Sequence, residues 1–178
     1  MINWLKNNNY STYYLFSLTF IVCIGTILFS VLTEVGEEEI DALKALINRD
    51  GPKAYALVGV IIAFGLLFTL IQLFFSSVLL HAVAKFIFRI PIQFKLFNRV
   101  FLIFILFLSL SVFWQNTLYY NNYEVFLIAT NPLILVGMLV LFILLRGVVT
   151  INQVKPLLFT LFCYINYVIF TSITLGGI

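Results

Sequence analysis

Five apolar runs, at residues 12–33, 54–80, 97–118, 132–150 and 156–174, follow one another with only short polar breaks between them. A helix needs roughly 20 apolar residues to cross the hydrocarbon core of a bilayer, and each run is of that order. The chain has 178 residues, of which 63% are hydrophobic and 10% charged. Soluble domains carry about 25% charged residues, and no water-soluble fold of this length could hide so much apolar surface. The expected fold class is all-α: a polytopic integral membrane protein with five transmembrane helices, forming a single membrane domain over 1–178. A β-barrel fits poorly, because barrel strands are short and alternating whereas these runs are continuous. The first run is longer than the core of a secretory signal, and no small-residue cleavage site precedes the acidic EVGEEEID. It is therefore expected to be the first span, not a removed leader.

Helix punctuation marks the run boundaries. In RDGPKAY, Gly51 suits a turn and Pro52 a first helical position; in TNPL, Asn131 suits a cap and Pro132 the same first position; in QVKPLL, Pro156 is expected there too. Proline is tolerated at that point because its missing N–H has no helical partner anyway. The second helix is expected to run on to Phe88, and Pro91 should break it. Ile40, Leu43 and Ile47, with Leu46 beside them, recur at helical spacing in the 34–53 loop, which suggests a short amphipathic helix on the membrane surface.

The distribution of Lys and Arg predicts orientation. Lys6, Lys85, Arg89, Lys95, Arg99, Arg146 and Lys155 fall on one side of the five-span arrangement, and Lys44, Arg49 and Lys53 on the other. Seven cations against three place the N-terminus inside and the C-terminus outside. Aromatic residues agree, since amphipathic rings prefer the headgroup zone. Trp4, Tyr10, Tyr13 and Tyr14 flank the inner end of span one, and Trp114, Tyr119, Tyr120 and Tyr123 the outer end of span three. The basic isoelectric point thus reflects membrane edges, and nucleic acid is not an expected partner.

Enzymatic chemistry finds few groups to work with. There is a single histidine, so no two-histidine metal motif can form, and the two cysteines do not cluster with it in sequence. Neither a nucleophile elbow nor a phosphate-binding glycine loop occurs. Glu38 and Glu39 superficially suggest the paired glutamates of CAAX-processing intramembrane proteases, but Leu43 stands where those enzymes have arginine, and their further histidines are missing. The expectation is no enzyme, no cofactor and no metal. Cys23 and Cys163 lie within apolar runs and are expected to be small buried residues, not a disulfide.

Several residues remain as candidates for packing, binding or passage. Thr69, Gln72 and Ser76 fall within about 60° of one another on span two. With Gln115 on span three they suggest either hydrogen bonds between helices or a polar path through the membrane. Gly59 and Ala63 form a small-residue pair expected to let span two pack closely on a neighbour. His81 is expected at a helix interface, and Arg146 is expected to extend toward the headgroups. Lys85, Arg89, Lys95 and Arg99 alternate with Phe86, Phe88, Phe94 and Phe97. They suggest contact with anionic lipid, at about 1 kcal/mol per cation, or a docking surface for a protein partner.

The stretch LLHAVAKFIFRIPIQFKLFNRV, from Leu79 to Val100, resembles the end of span two and the start of span three in bacterial members of the Yip (Ypt-interacting protein) family. The later NPLILVGMLVLFILLRGVVTINQVKPLLFTLF resembles that family's last hairpin, with its basic turn. The likeness extends over about residues 12–175, and five spans with an inside N-terminus match it. The resemblance implies a non-enzymatic accessory or scaffold membrane protein, partnering an ABC-type exporter or acting in envelope stress or antimicrobial-peptide protection. The Phe-, Ile- and Asn-rich composition points to a bacterial cytoplasmic membrane. Expected partners are membrane lipids and a membrane protein or a second copy of the chain. The alternative is a small transporter or substrate-binding membrane subunit, with its polar path near Gln72 and Gln115.

Overall fold

A computed structural model describes residues 2–7, 10–34, 36, 39, 41–42, 44–45, 51–118, 124–149 and 153–176. The helices are α1 (Ile2–Asn7), α2 (Ser11–Glu34), α3 (Pro52–Ala82), α4 (Phe94–Leu118), α5 (Val125–Ala129), α6 (Pro132–Val148) and α7 (Val154–Gly176), with a π-helical turn at Val83–Ile87 after α3. No strand occurs among the described residues. Five stretches are long and apolar enough to cross a membrane: Ser11–Thr33, Pro52–Ile87, Phe94–Leu118, Val125–Val148 and Val154–Ile173. The protein is an integral membrane protein of five helical spans, and their apolar outer faces suit contact with lipid.

Local chemistry explains the helix ends. Gly51 adopts φ 50°, a left-handed conformation that glycine reaches without steric cost, and Pro52 opens α3 behind it. Asn131 caps α6 by accepting a hydrogen bond from the Leu133 N–H at 3.0 Å, and Pro132 follows at the first position. Several boundaries differ from expectation, among them the start of α4, at Phe94 and not near 97. The helix containing Pro156 starts at Val154, which puts that proline inside the first turn, where an N–H is still unneeded. The fourth span starts earlier than 132, because α5 adds a turn of helix whose Ile128 is buried. Ile40, Leu43, Leu46 and Ile47, the apolar residues of the expected amphipathic helix, lie outside the described residues.

α4 is the centre of the bundle. It packs against α2 on one side and α6 on another, and α7 closes on α6. Phe97, Val100, Phe101, Leu102 and Phe104 from α4 meet Ile134, Met138, Leu141, Leu144 and Leu145 from α6, with Phe159 and Cys163 from α7. This core lies toward the side carrying α1, the α3–α4 link and the α6–α7 turn, hereafter the amino-terminal side. α4 and α6 approach closely because Gly137 has no side chain: a Cβ there would stand 2.6 Å from Phe107 Cβ.

α3 is packed very differently. Only 11% of its most apolar stretch is buried, against 44% for α4. Its buried residues are Ala54, Thr69, Leu73 and Ser77. Gly59 and Ala63 are exposed, and a Cβ on Gly59 would meet nothing within 4 Å. The close packing expected of that pair within the chain is therefore absent, and Gly137 on α6 provides it instead.

The link between α3 and α4 is tightly built. After the π-helical turn, Arg89 takes φ 52°. The Ile90 N–H then reaches back to the Ala84 carbonyl at 3.0 Å, and the Phe88 N–H to Val83 at 3.2 Å. These bonds span six and five residues, wider than in the left-handed cap of an α-helix because the turn is π-helical, and arginine holds the left-handed position that glycine usually fills. Phe88 tucks its ring against Phe159 and Phe162 of α7.

A candidate intramembrane cavity and a cationic pocket

Small polar side chains run down one face of α2 at positions 19, 23, 26 and 30. Each turns toward α4. Thr19 donates to the Leu102 carbonyl at 3.2 Å, and Cys23 Sγ lies 3.2 Å from Ser109 Oγ. Thr26 donates to its own helix at Val22 and reaches the Ser109 carbonyl at 3.4 Å. Asn116 Nδ2 donates to Ser30 Oγ at 2.6 Å. In a membrane, polar groups must find partners within the protein, and this ladder provides them.

Toward the opposite side of the bundle the helices separate. A partly open cavity of about 460 Å³ lies between α2, α3, α4 and α7. Its wall is mainly apolar, with Ile27, Val31, Leu73, Ile105, Leu108, Val112 and Phe170. Set into that wall are Thr26, Ser30, Thr69, Gln72, Ser76, Ser109, Tyr167 and Thr171, together with the Cys23 thiol. The polar face of α3 expected from Thr69, Gln72 and Ser76 thus points into the cavity. Hydroxyls and one carboxamide on a greasy wall can hold an apolar chain and bond to an ester, amide or hydroxyl group on it. No carboxylate, histidine or amine is among the described residues that line it, so it has no pair suited to general acid–base work.

Gln115 stands just past the cavity, one turn beyond Ser111 on α4. It is 1% exposed, and neither its oxygen nor its nitrogen makes a hydrogen bond. It flanks the Tyr167 hydroxyl without reaching hydrogen-bond geometry. Tyr167 instead pairs with Ser111 at 2.8 Å, and Asn131 Nδ2 donates to the Ser111 carbonyl at 3.0 Å. Asn116 Oδ1 is also buried without a partner. Gln72 and Ser76 are therefore brought together on the wall, while Gln115 lies beyond it among buried carboxamides.

On the amino-terminal side the cations separate into two groups. Lys85, Arg89, Lys95 and Arg146 are exposed, and the Lys85 ammonium lies 5.9 Å from the centre of the Phe86 ring. Arg99 departs from the lipid or partner contact expected of it, being 2% exposed. Its Nε donates to Thr12 Oγ1 at 2.7 Å and its Nη1 to the Leu5 carbonyl, so it ties α1 and the start of α2 to α4. The burial follows from α1 folding back over α4, a contact between residues 94 apart in sequence. Beside Arg99 is a second, smaller pocket of about 210 Å³, lined by Lys6, Gln93, Lys95, Leu96 and Arg99.

His81 packs inside the α3–α4 junction. Its Nε2 lies 3.0 Å from the Ile92 carbonyl, which makes Nε2 the protonated nitrogen, and its ring meets Phe94 and Phe97 edge-on or tilted. One turn earlier Ser77 donates to Asn98 Oδ1 at 2.7 Å. Both hold α3 to α4. Cys23 and Cys163 are buried free thiols.

Sequence reasoning passed over the α2 ladder and grouped Arg99 with the exposed cations. The ladder had a signal, the i, i+4, i+7, i+11 spacing of Thr19, Cys23, Thr26 and Ser30. No protein-family model matches the chain, and no curated protein or solved structure matches it either.

Proposed function

We propose that this protein is a non-enzymatic accessory membrane protein that holds an apolar or amphipathic molecule in its intramembrane cavity. The cavity itself carries the reading: about 460 Å³ of space between four spans, greasy throughout and dotted with hydrogen-bonding groups. Binding sites for small molecules have this make-up, a mainly apolar wall with a few placed polar groups. Just beyond the cavity, the buried Gln115 carboxamide and Asn116 Oδ1 lack partners and add further hydrogen-bonding capacity. The exposed Lys85, Arg89 and Arg146 support a companion reading, docking to anionic lipid or to a membrane-protein partner. The Yip-family resemblance favours an accessory setting, beside an ABC-type exporter in a bacterial cytoplasmic membrane and with the N-terminus inside.

The test is to purify the protein in mild detergent and identify co-purifying amphiphiles by native mass spectrometry. Val112→Trp, which fills the cavity, should reduce retained ligand about tenfold. Phe64→Trp, on the exposed face of α3, should leave it unchanged. Equal retention in both folded variants would show that the cavity is not the binding site.

A further inference from the structure

Arg99 is a buried cation with an unfinished set of partners. Thr12 and Leu5 take its Nε and Nη1, but Nη2 is buried with no hydrogen bond. No carboxylate is among the described residues lining the pocket beside it. A guanidinium taken out of water without an anion is strongly disfavoured, and an orphaned donor adds to that. The side chains arranged around it are equally one-sided. Lys6 from α1 and Lys95 from α4 bring two more positive charges, and Gln93 brings a carboxamide. The pocket also sits where α4 begins, at Phe94, so the positive end of a helix 25 residues long faces the same place.

These observations converge on one ligand chemistry. We infer that the pocket formed by Lys6, Gln93, Lys95 and Arg99 binds a phosphate group. Three cations suit a group bearing more than one negatively charged oxygen, and the guanidinium offers a directional donor as well as charge. The volume of about 210 Å³ admits a phosphate with some of its water. The depth also fits. Trp4 and Tyr14 pack edge to face at 6.5 Å and are both exposed, like the rings that mark the headgroup level of a bilayer. Two sources could supply the group: the headgroup of an anionic phospholipid or free inorganic phosphate. The site differs from the intramembrane cavity in its lining residues and in its chemistry, so it stands or falls separately.

The experiment uses the full chain in a neutral maltoside detergent, with two double variants. Lys6→Gln/Lys95→Gln removes two charges from the pocket and leaves the structural Arg99 in place. Lys44→Gln/Lys53→Gln removes two exposed cations that neither line it nor belong to the proposed docking face. Helicity and size-exclusion profile establish that both are folded. One arm measures retention of phosphatidic acid against phosphatidylcholine by native mass spectrometry. The other measures the rise in melting temperature on titration with inorganic phosphate, at constant ionic strength. Selective retention of phosphatidic acid, weakened about tenfold by the pocket variant and unaffected in the control, supports a lipid headgroup. Stabilisation by inorganic phosphate, lost in the same variant alone, supports free phosphate. Equal weakening in both variants, or no response in either arm, overturns the site.

Discussion

Among the described residues, Arg89 is the one non-glycine residue with a positive φ. At φ 52° an L side chain crowds the adjacent carbonyl, a cost of about 1 kcal/mol that glycine escapes. The cap is kept because Phe88 is anchored against Phe159 and Phe162, while the Lys155 ammonium approaches the Arg89 carbonyl at 3.5 Å. Arg89→Gly is expected to stabilise the protein by about 1 kcal/mol, read as a higher melting temperature in detergent. Arg89→Ala removes the same charge but keeps the strain, so it should give no such gain. An equal rise for both would locate the effect in charge, not in backbone. Such strain is invisible in sequence, since RIPIQ announces a break at Pro91 but not which residue turns left-handed. Arg99 was hidden for a related reason. It follows Lys85, Arg89 and Lys95 as the last of a run of spaced cations, and only the return of α1 across α4 shows that it is buried. Asn131 and Pro132, by contrast, were legible because a cap is made by adjacent residues.

Among the elements, close packing and polar bonding divide the work unequally. The α2–α4 seam is a polar ladder, and the α4–α6 seam is a backbone approach allowed by Gly137. Hydrogen bonds between membrane helices contribute about 0.6 kcal/mol each, because the separated helices also find partners. Thr19→Val with Thr26→Val should therefore cost only about 1 kcal/mol. Gly137→Ala introduces a carbon 2.6 Å from Phe107 Cβ, an atom at the root of its side chain that cannot swing aside. Overpacking of this kind costs about 1–3 kcal/mol, and the single methyl should destabilise more than the two lost hydroxyls together. Reversible unfolding in mixed micelles measures both. The reverse order would mean that the ladder, not the glycine, holds the bundle. The span count and approximate boundaries were plain from hydropathy. The choice of neighbours was not, because a lipid-facing apolar side chain and a packed one look alike in sequence. That is why Gly59 and Ala63 seemed the better packing pair, though the tight contact is at Gly137.

At the scale of the whole molecule, an odd number of spans puts the two termini on opposite sides, and orientation becomes a question of charge balance. Cations in short loops and near span ends resist translocation. Arg99 is held inside the protein by Thr12 and Leu5, yet it still counts while the chain inserts, before that packing exists. Lys85, Arg89 and Lys95 are exposed and can be changed without disturbing the core. Replacing these three with glutamine leaves four cations on the amino-terminal side against three on the other. The native chain should insert with its C-terminus outside, so that a C-terminal alkaline phosphatase fusion is active and a green fluorescent protein fusion is dark. The triple variant, near balance, should divide between the two orientations and show both signals. The phosphatase arm of the native fusion bears on the proposal most directly. If it is inactive while the fluorescent fusion is bright, the orientation is reversed, and the phosphate pocket faces the outer leaflet. A triple variant that keeps one orientation would assign control of insertion to Lys6, Arg99, Arg146 and Lys155, since these are the cations that remain on that side.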